Sequence, residues 1–306
     1  MKEIKIFAPA TVANLSCGFD VLGCCLDIIG DQMILRKNNQ RKLRILRITG
    51  QELALEAKNN VATVAIIAML EALDSTQGFD IEIDKKIKAG SGIGSSAASS
   101  SGAVYAVNKL LGDPFTLKEL IPFAMEGERL ASGNAHADNV APALMGGFSL
   151  VKSYHPLEVL ALPSPPELRL VILHPLIELR TKDSRAVIKQ QVQLKDAIAQ
   201  WGNLAAFVSG LYTNDYKLIG RSLQDKIIEP VRSILIPYFE ELKTIALENG
   251  ALGFGISGSG PSVFAMCKGD TIAASVKEAM HLFYKEKGID FDLHQSKINT
   301  QGIKIL

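Results

Sequence analysis

Gly90-Ser91-Gly92-Ile93-Gly94-Ser95-Ser96-Ala97-Ala98-Ser99-Ser100-Ser101-Gly102 sets the fold expectation for the whole chain, with Ile93 as its one large side chain. Glycine lets successive backbone N–H groups turn toward a ligand and lets that ligand come close. A run of inward N–H groups makes an anion-binding concavity. Past Ser95 the composition shifts to Ala, Val and Tyr, which predicts a helix reaching Leu111. The loop therefore empties into a helix N-terminus, where free N–H groups and the positive dipole end favour phosphate. Ser95, Ser96 and Ser99 add hydroxyls for phosphate oxygens or a metal. Two plainer readings stand beside this one. A flexible Gly/Ser linker would not grade into helical periodicity; tight helix packing on small residues would. No Gly-Lys-Ser/Thr ends the loop, and the glycine spacing is not that of a dinucleotide fingerprint.

The rest of the composition narrows the field. A length of 306 residues suggests two domains or one large one, and 47% hydrophobic content is ample for a core. With 33 basic and 32 acidic residues, no global field points to nucleic acid or an anionic membrane. Aromatics at 6% argue further against a base-stacking surface. Lys2, Glu3 and Lys5 fall in a strand-like alternation, unlike a signal peptide. No apolar run reaches the roughly 18 residues of a membrane span. Cys17, Cys24, Cys25 and Cys267 form no metal spacing and suit structural thiols in a reducing, cytoplasmic compartment.

Outward from the glycine stretch, Lys2–Phe7 reads as a strand, and Ala8–Gly23 as an irregular loop punctuated by Pro9, Gly18 and Gly23. In that loop Asn14 and Asp20 either grip a polar ligand or simply close turns. Asp27–Arg36 and Leu43–Ile48 read as strands of a hairpin turning over Lys37–Lys42. Asn60 is placed to cap a helix over Val61–Leu73, and Phe79–Ile83 is a short strand. Thr116 and Glu119 have capping-box spacing before a helix to about Leu130. Glu126 and Glu128 near its end oppose the dipole, so one of them serves a cation or both lie on a solvated face. The polar loop Ser132–Pro142 packs His136, Asp138 and Asn139 into four residues, without zinc spacing. A strand over Phe148–Lys152 follows. Pro163, Pro165 and Pro166 mark a linker, dividing the chain into units 1–164 and 165–306.

In the second unit, Leu168–Leu173 is a buried strand and Thr181–Arg185 a polar loop opening a long helical region, Ala186 to about Tyr212. Glu229-Pro230-Val231-Arg232 restarts a helix, and another runs from Ile236 to Glu248. Gly253, Gly255 and Gly258 match G-x-G-x-x-G, but Val263–Cys267 after them is a strand, so a dinucleotide site is rejected. Thr271–Lys287 is the final helix, with strands at Phe291–Ile298 and Ile303–Leu306. The order suits a sheet with helices on one face.

Three loops, Pro9–Gly23, Gly90–Ala98 and Gly253–Ser262, in that order and at that separation, resemble those of the GHMP kinases over essentially the full length. Asn14-Leu15 with Gly18-Phe19-Asp20, the run His136–Pro142, Thr181 with Arg185, and Glu229–Arg232 are similar to the homoserine kinases among them. The Gly-Glu-His first loop of galactokinases and the basic residue of mevalonate kinases do not occur here. The resemblance implies an α+β, two-domain GHMP kinase fold: a ribosomal-protein-S5-like N-terminal domain that binds ATP, and a ferredoxin-like C-terminal domain. It implies ATP- and Mg2+-dependent phosphorylation of the L-homoserine hydroxyl, giving O-phospho-L-homoserine for L-threonine biosynthesis, by an enzyme that is often a homodimer.

Residue by residue, the resemblance implies that Ala89, Gly90, Ser91, Gly92, Ile93, Gly94, Ser95, Ser96 and Ala97 wrap the triphosphate and that Asn60 touches the adenine side. It places Mg2+ on Ser96 and Glu128. Asn14, Asp20, His136, Asn139, Thr181, Arg185 and Arg232 would line the homoserine pocket, the two arginines on its carboxylate and Asp20 on its ammonium. Asn139 and Arg185 would serve the chemistry, Asn139 orienting the hydroxyl while its proton goes to the phosphate or to water. Lys88 departs from the family's proline; it either reaches the phosphates or points to solvent, and the second is expected. A GHMP kinase for another small alcohol, or a sensor of this fold that binds without transfer, are the alternatives. The sensor would have lost part of the set Gly90–Gly94, Ser96 and Glu128, which is complete here.

Overall fold

A computed structural model describes residues 1–306 except Glu178, Arg180 and Gln190; the side chains of Thr181, Lys182 and Asp183 also lie outside the described residues. Ile4, Ile6, Ala8, Ala10 and Val12 alternate into the core, the period of two that makes a strand. This strand, β1 (Glu3–Ala13), runs straight past Pro9, so the irregular loop expected from Ala8 begins only at Asn14. Pro9 sits beside a register shift with β2 (Leu22–Asn38) between Pro9 and Thr11. The C-terminal strand on the other side, Lys304–Ile305, pairs only with Ile6 and Phe7, which leaves Pro9 in an edge-like position of the kind where a strand accepts proline.

The expected hairpin of β2 with β3 (Leu43–Thr49) does not form. After helix α1 (Val61–Ala72), strand β4 (Gly78–Asp84) slips between them, antiparallel to β2 and parallel to β3. The side chains explain it: β4 buries Phe79, Ile81 and Ile83, whereas β3 buries only Ile45 and so takes the edge. Helix α2 (Ser95–Leu111) packs on β1 and β2, and α1 and α3 (Leu117–Ser132) pack beside it. A Cβ on Gly102 would stand 2.7 Å from Met33 Sδ, and one on Gly127 of α3 2.6 Å from Ser100 Cβ. The second half of the opening stretch is thus a close-packing surface, and only its first half is a loop. Thr116 and Glu119 form the expected capping box of α3. A six-residue helix, α4 (Val140–Met145), interrupts the expected polar loop before β5 (Phe148–Tyr154). The hairpin partner β6 (Leu157–Leu162) ends directly before the prolines of the expected linker.

The second sheet has the order β10-β7-β9-β8, with β7 (Leu168–Pro175), β8 (Gly253–Ile256), β9 (Val263–Lys268) and β10 (Phe291–Lys297), all antiparallel. Its alternation divides two cores. Val171, Leu173, Val263 and Ala265 pack under α9 (Phe239–Glu248) and α10 (Gly269–Glu286); Leu170, Ile172, Phe264 and Met266 join the first core. On that side lie α6 (Leu194–Thr213) and α7 (Tyr216–Ser222), so both faces are covered rather than the one expected. The expected polar loop Thr181–Arg185 is helical instead, as α5 (Thr181–Ala186), and the helix expected from Ala186 begins only with α6. The short α8 (Glu229–Arg232) carries Arg232. The tail then leaves the second sheet: β11 (Lys304–Ile305) pairs with β1, and the Leu306 N–H donates to Lys5 C=O at 2.9 Å. Among the described residues no helix is long and apolar enough to cross a membrane.

Candidate active site

The three loops singled out by sequence meet. The Thr11 N–H donates to Ile93 C=O, Gly258 N–H to Ala13 C=O, and Ser262 N–H to Ser91 C=O, each at 3.2 Å. Ser257 Oγ donates to Gly92 C=O at 2.8 Å. A Cβ on Gly92 would lie 2.6 Å from Gly260 O and 2.7 Å from Ser257 O. The third loop is therefore a strut holding the glycine loop in place, with Gly258 and Ser259 reaching the cavity edge. That cavity, about 560 Å³, opens between the loops.

One end is built from backbone. Gly90, Gly92 and Gly94 have φ of +75°, +82° and +70°, a left-handed conformation at every second residue that only glycine adopts without strain. Gly90, Gly92, Gly94, Ser95 and Ser96 line the cavity, as does Ala89. Ser91, Ile93 and Ala97 are buried and do not line it. Asn60 does not reach the cavity either: its Oδ1 caps α1 through Ala62 N–H, and its Nδ2 donates to Ala54 C=O. The apolar lining there comes from Leu53 and Val61. Lys88 turns away and pairs with Asp292 at 3.3 Å, both half-exposed.

Below this loop lies a group that the sequence did not single out. Lys85 sits among three lysines in four residues, which reads as a solvated face, yet it is buried. Its Nζ pairs with the buried Asp31 and donates to Ser95 C=O at 2.7 Å and Ser99 Oγ at 3.0 Å. Burial lowers its pKa, opposed chiefly by Asp31. Glu128 is buried beside Ser96 and Lys85 and lines the cavity. Burial pushes its carboxyl up to about 7 against the pull of the Ser96 hydroxyl and the Lys85 charge. Its Oε1 has no hydrogen-bond partner among the described residues. An orphan carboxylate oxygen next to a hydroxyl, at a cavity wall, is a donor set that fits a hard cation.

The other end is built from side chains. Asn14, Leu15, Ser16 and Asp20 all have left-handed φ, a strained turn stored in the first loop. Asn14 pins it, accepting from Asp20 N–H at 3.0 Å and donating to Gly258 C=O at 2.7 Å. Arg185 Nη2 donates to both Asp20 oxygens, at 2.9 and 3.2 Å, and contacts His136 Nε2 at 2.7 Å. A guanidinium only donates, so His136 accepts there and carries its proton on Nδ1. Burial, more than the neighbouring charges, lowers the His136 pKa and keeps it neutral, so its 3.9 Å approach to Asp20 is not an ion pair. Arg232 donates to Ser184 C=O at 3.0 Å and Gly258 C=O at 3.1 Å; burial and the nearby Arg185 lower it to about 10. Both guanidinium groups lie against Phe19, at 5.8 and 5.1 Å from the ring centre. Arg185 Nε has no partner among the described residues. Asp138 is enclosed, and burial with the charges of Asp20 and Glu128 raises it to about 8. Two guanidinium groups, Arg185 and Arg232, beside the single Asp20 carboxylate leave an excess positive charge, the complement of one anionic group. Asn14, Asp20, His136, Asn139, Arg185 and Arg232 are brought together; the Thr181 side chain lies outside the described residues.

The homoserine kinase of Chloroherpeton thalassium is 43% identical over 322 residues, covering all of both chains, and that of Chlorobium phaeobacteroides is 44% identical over 321 residues with the same coverage. The chain belongs to the homoserine kinase family of GHMP kinases. Models of the GHMP kinase N-terminal and C-terminal domains match residues 59–147 and 203–286. A crystal structure of homoserine kinase from Cytophaga hutchinsonii superposes with a TM-score of 0.97 at 50% identity, covering 100% of this chain and 98% of that one. The homoserine kinase fold, with its two units and α+β content, is therefore the fold of this chain.

Proposed function

We propose that this chain transfers the terminal phosphoryl group of ATP to the side-chain hydroxyl of L-homoserine, giving O-phospho-L-homoserine for L-threonine biosynthesis. One observation carries the reading: a single cavity joins a glycine loop of alternating left-handed residues to a carboxylate flanked by two arginines. The first end suits a triphosphate; the second suits an amino acid with one charge of each sign. Asp20 takes the ammonium. Arg185, released from Asp20, offers Nε and Nη2 to the carboxylate, and Arg232 supplies the second cation. Homoserine kinase relatives over the full length support the same substrate.

Phosphoryl transfer rests on positioning and charge neutralisation rather than covalent chemistry. Ser96 and Glu128 would hold Mg2+, which when bound neutralises phosphate charge. Asn139 orients the attacking hydroxyl. Asp138, raised to about 8, is largely protonated at pH 7 and does not compete for the hydroxyl proton, which passes to the phosphoryl oxygens or to water. On this reading residues 1–164 form the nucleotide unit and 165–306 the second unit. The cytoplasmic location and homodimer implied by the resemblance complete the proposal; four buried, unpaired cysteines support a reducing compartment.

The test is ADP release with L-homoserine, mevalonate, galactose and shikimate, each with and without Mg2+. Turnover with homoserine alone, lost without Mg2+, is expected. Equal turnover with a sugar or with mevalonate overturns the assignment.

A further inference from the structure

Asn139 stands at the N-cap position of α4, where an asparagine ordinarily bonds the backbone of its own helix, yet its side chain makes no capping bond. It is held from elsewhere. Thr11, fully buried on β1, donates its hydroxyl to Asn139 Oδ1 at 2.6 Å. The Thr11 N–H holds Ile93 C=O of the glycine loop at 3.2 Å. A Cβ on Gly94 would overlap Thr11 Oγ1 and come 3.0 Å from Asn139 Oδ1, so loop, hydroxyl and amide converge on one point. The register shift between Pro9 and Thr11 falls just before this residue, and such shifts re-aim side chains.

We propose that Thr11 is a positioning residue: its hydroxyl commits Asn139 Oδ1, leaving Nδ2 to meet the acceptor alcohol, and fixes that amide relative to the phosphate loop. The inference rests on the phosphoryl transfer proposed above and deepens it. An amide presented by its N–H donates to the alcohol oxygen and cannot accept the alcohol proton. Thr11 sets the spacing between the two substrates without touching either one.

The experiment is a double-mutant cycle of Thr11→Val and Asn139→Ala in the full chain, with turnover read by ADP release and folding by thermal unfolding. Thr11→Val is expected to lower kcat by about 10- to 100-fold, as for a misplaced reacting group, with KM for ATP and L-homoserine within about threefold. Thr11→Ser, which restores the hydroxyl, is expected to recover kcat to within about threefold of the parent. In the Asn139→Ala background, Thr11→Val should change kcat by less than about twofold, because the two act as one unit. If Thr11→Val does not fold, Thr11→Ala takes its place in the cycle. Wild-type kcat in the single variant, or the same loss with and without Asn139, overturns the inference while leaving the kinase reading intact. A parent protein inactive on L-homoserine in the same assay overturns both.

Discussion

The two ends of the cavity are made of different material. The end proposed for the nucleotide is one contiguous stretch of backbone, fixed by glycine conformation and by a hydroxyl and an N–H of the third loop that donate to its carbonyls. The end proposed for the acceptor gathers side chains from the first loop, the Ser132–Asn139 region, α5 and α8, and holds them by an ion pair, a neutral histidine and a shared aromatic ring. A backbone-built site fails as a whole when its shape changes. A side-chain site loses one function at a time.

That contrast gives its own tests. Gly92→Ala places a Cβ against two carbonyl oxygens at left-handed φ; turnover should fall by about 10²- to 10³-fold, as when preorganised donors are lost, with a lower unfolding temperature. Arg185→Ala should raise KM for L-homoserine about 10- to 150-fold, the worth of a charged hydrogen bond, and leave KM for ATP within about threefold. Equal effects on both substrates would erase the distinction between the ends. Glu128→Gln concerns the boundary. The buried Glu128 carboxyl titrates at about 7, well above an unfolded glutamate, so the folded state binds more protons. Its contribution to stability is full below about pH 4 and is lost as pH rises through 7. The variant should therefore gain stability over the parent from pH 5 to pH 8, by on the order of 2 kcal/mol, while losing turnover; calorimetry at the two pH values reads it. Smallest of all, Asn60→Ala should cost about 1 kcal/mol of stability through the lost cap and leave KM for ATP unchanged. A raised KM there would extend the nucleotide end to Asn60.

The same contrast governs what the sequence made legible. The glycine loop, α2 and the capping box of α3 were readable because each is local: adjacent residues carry the whole signal. The acceptor residues were reached through family resemblance, since nothing in the spacing of Asp20, His136, Arg185 and Arg232 says that they meet. Lys85 was missed because its burial depends on Asp31, 54 residues away. Thr11 was missed because its partner is 128 residues distant. The β2–β3 hairpin was misread for a like reason: the turn signal is local, while the insertion of β4 between its arms is decided by where Phe79, Ile81 and Ile83 find cover. Pro9 reads as a stop only if the register shift beside it is unknown.

Residues 298–306 return to the first sheet, bridging Ile298 to Leu26 and laying Lys304–Ile305 along β1. Synthesis makes β1 well before these residues, so the short part of its edge that they cover, Lys5–Phe7, stays open until they arrive. A variant lacking Lys304–Leu306 should therefore be cut more readily by protease at β1 than the parent, with a lower unfolding temperature.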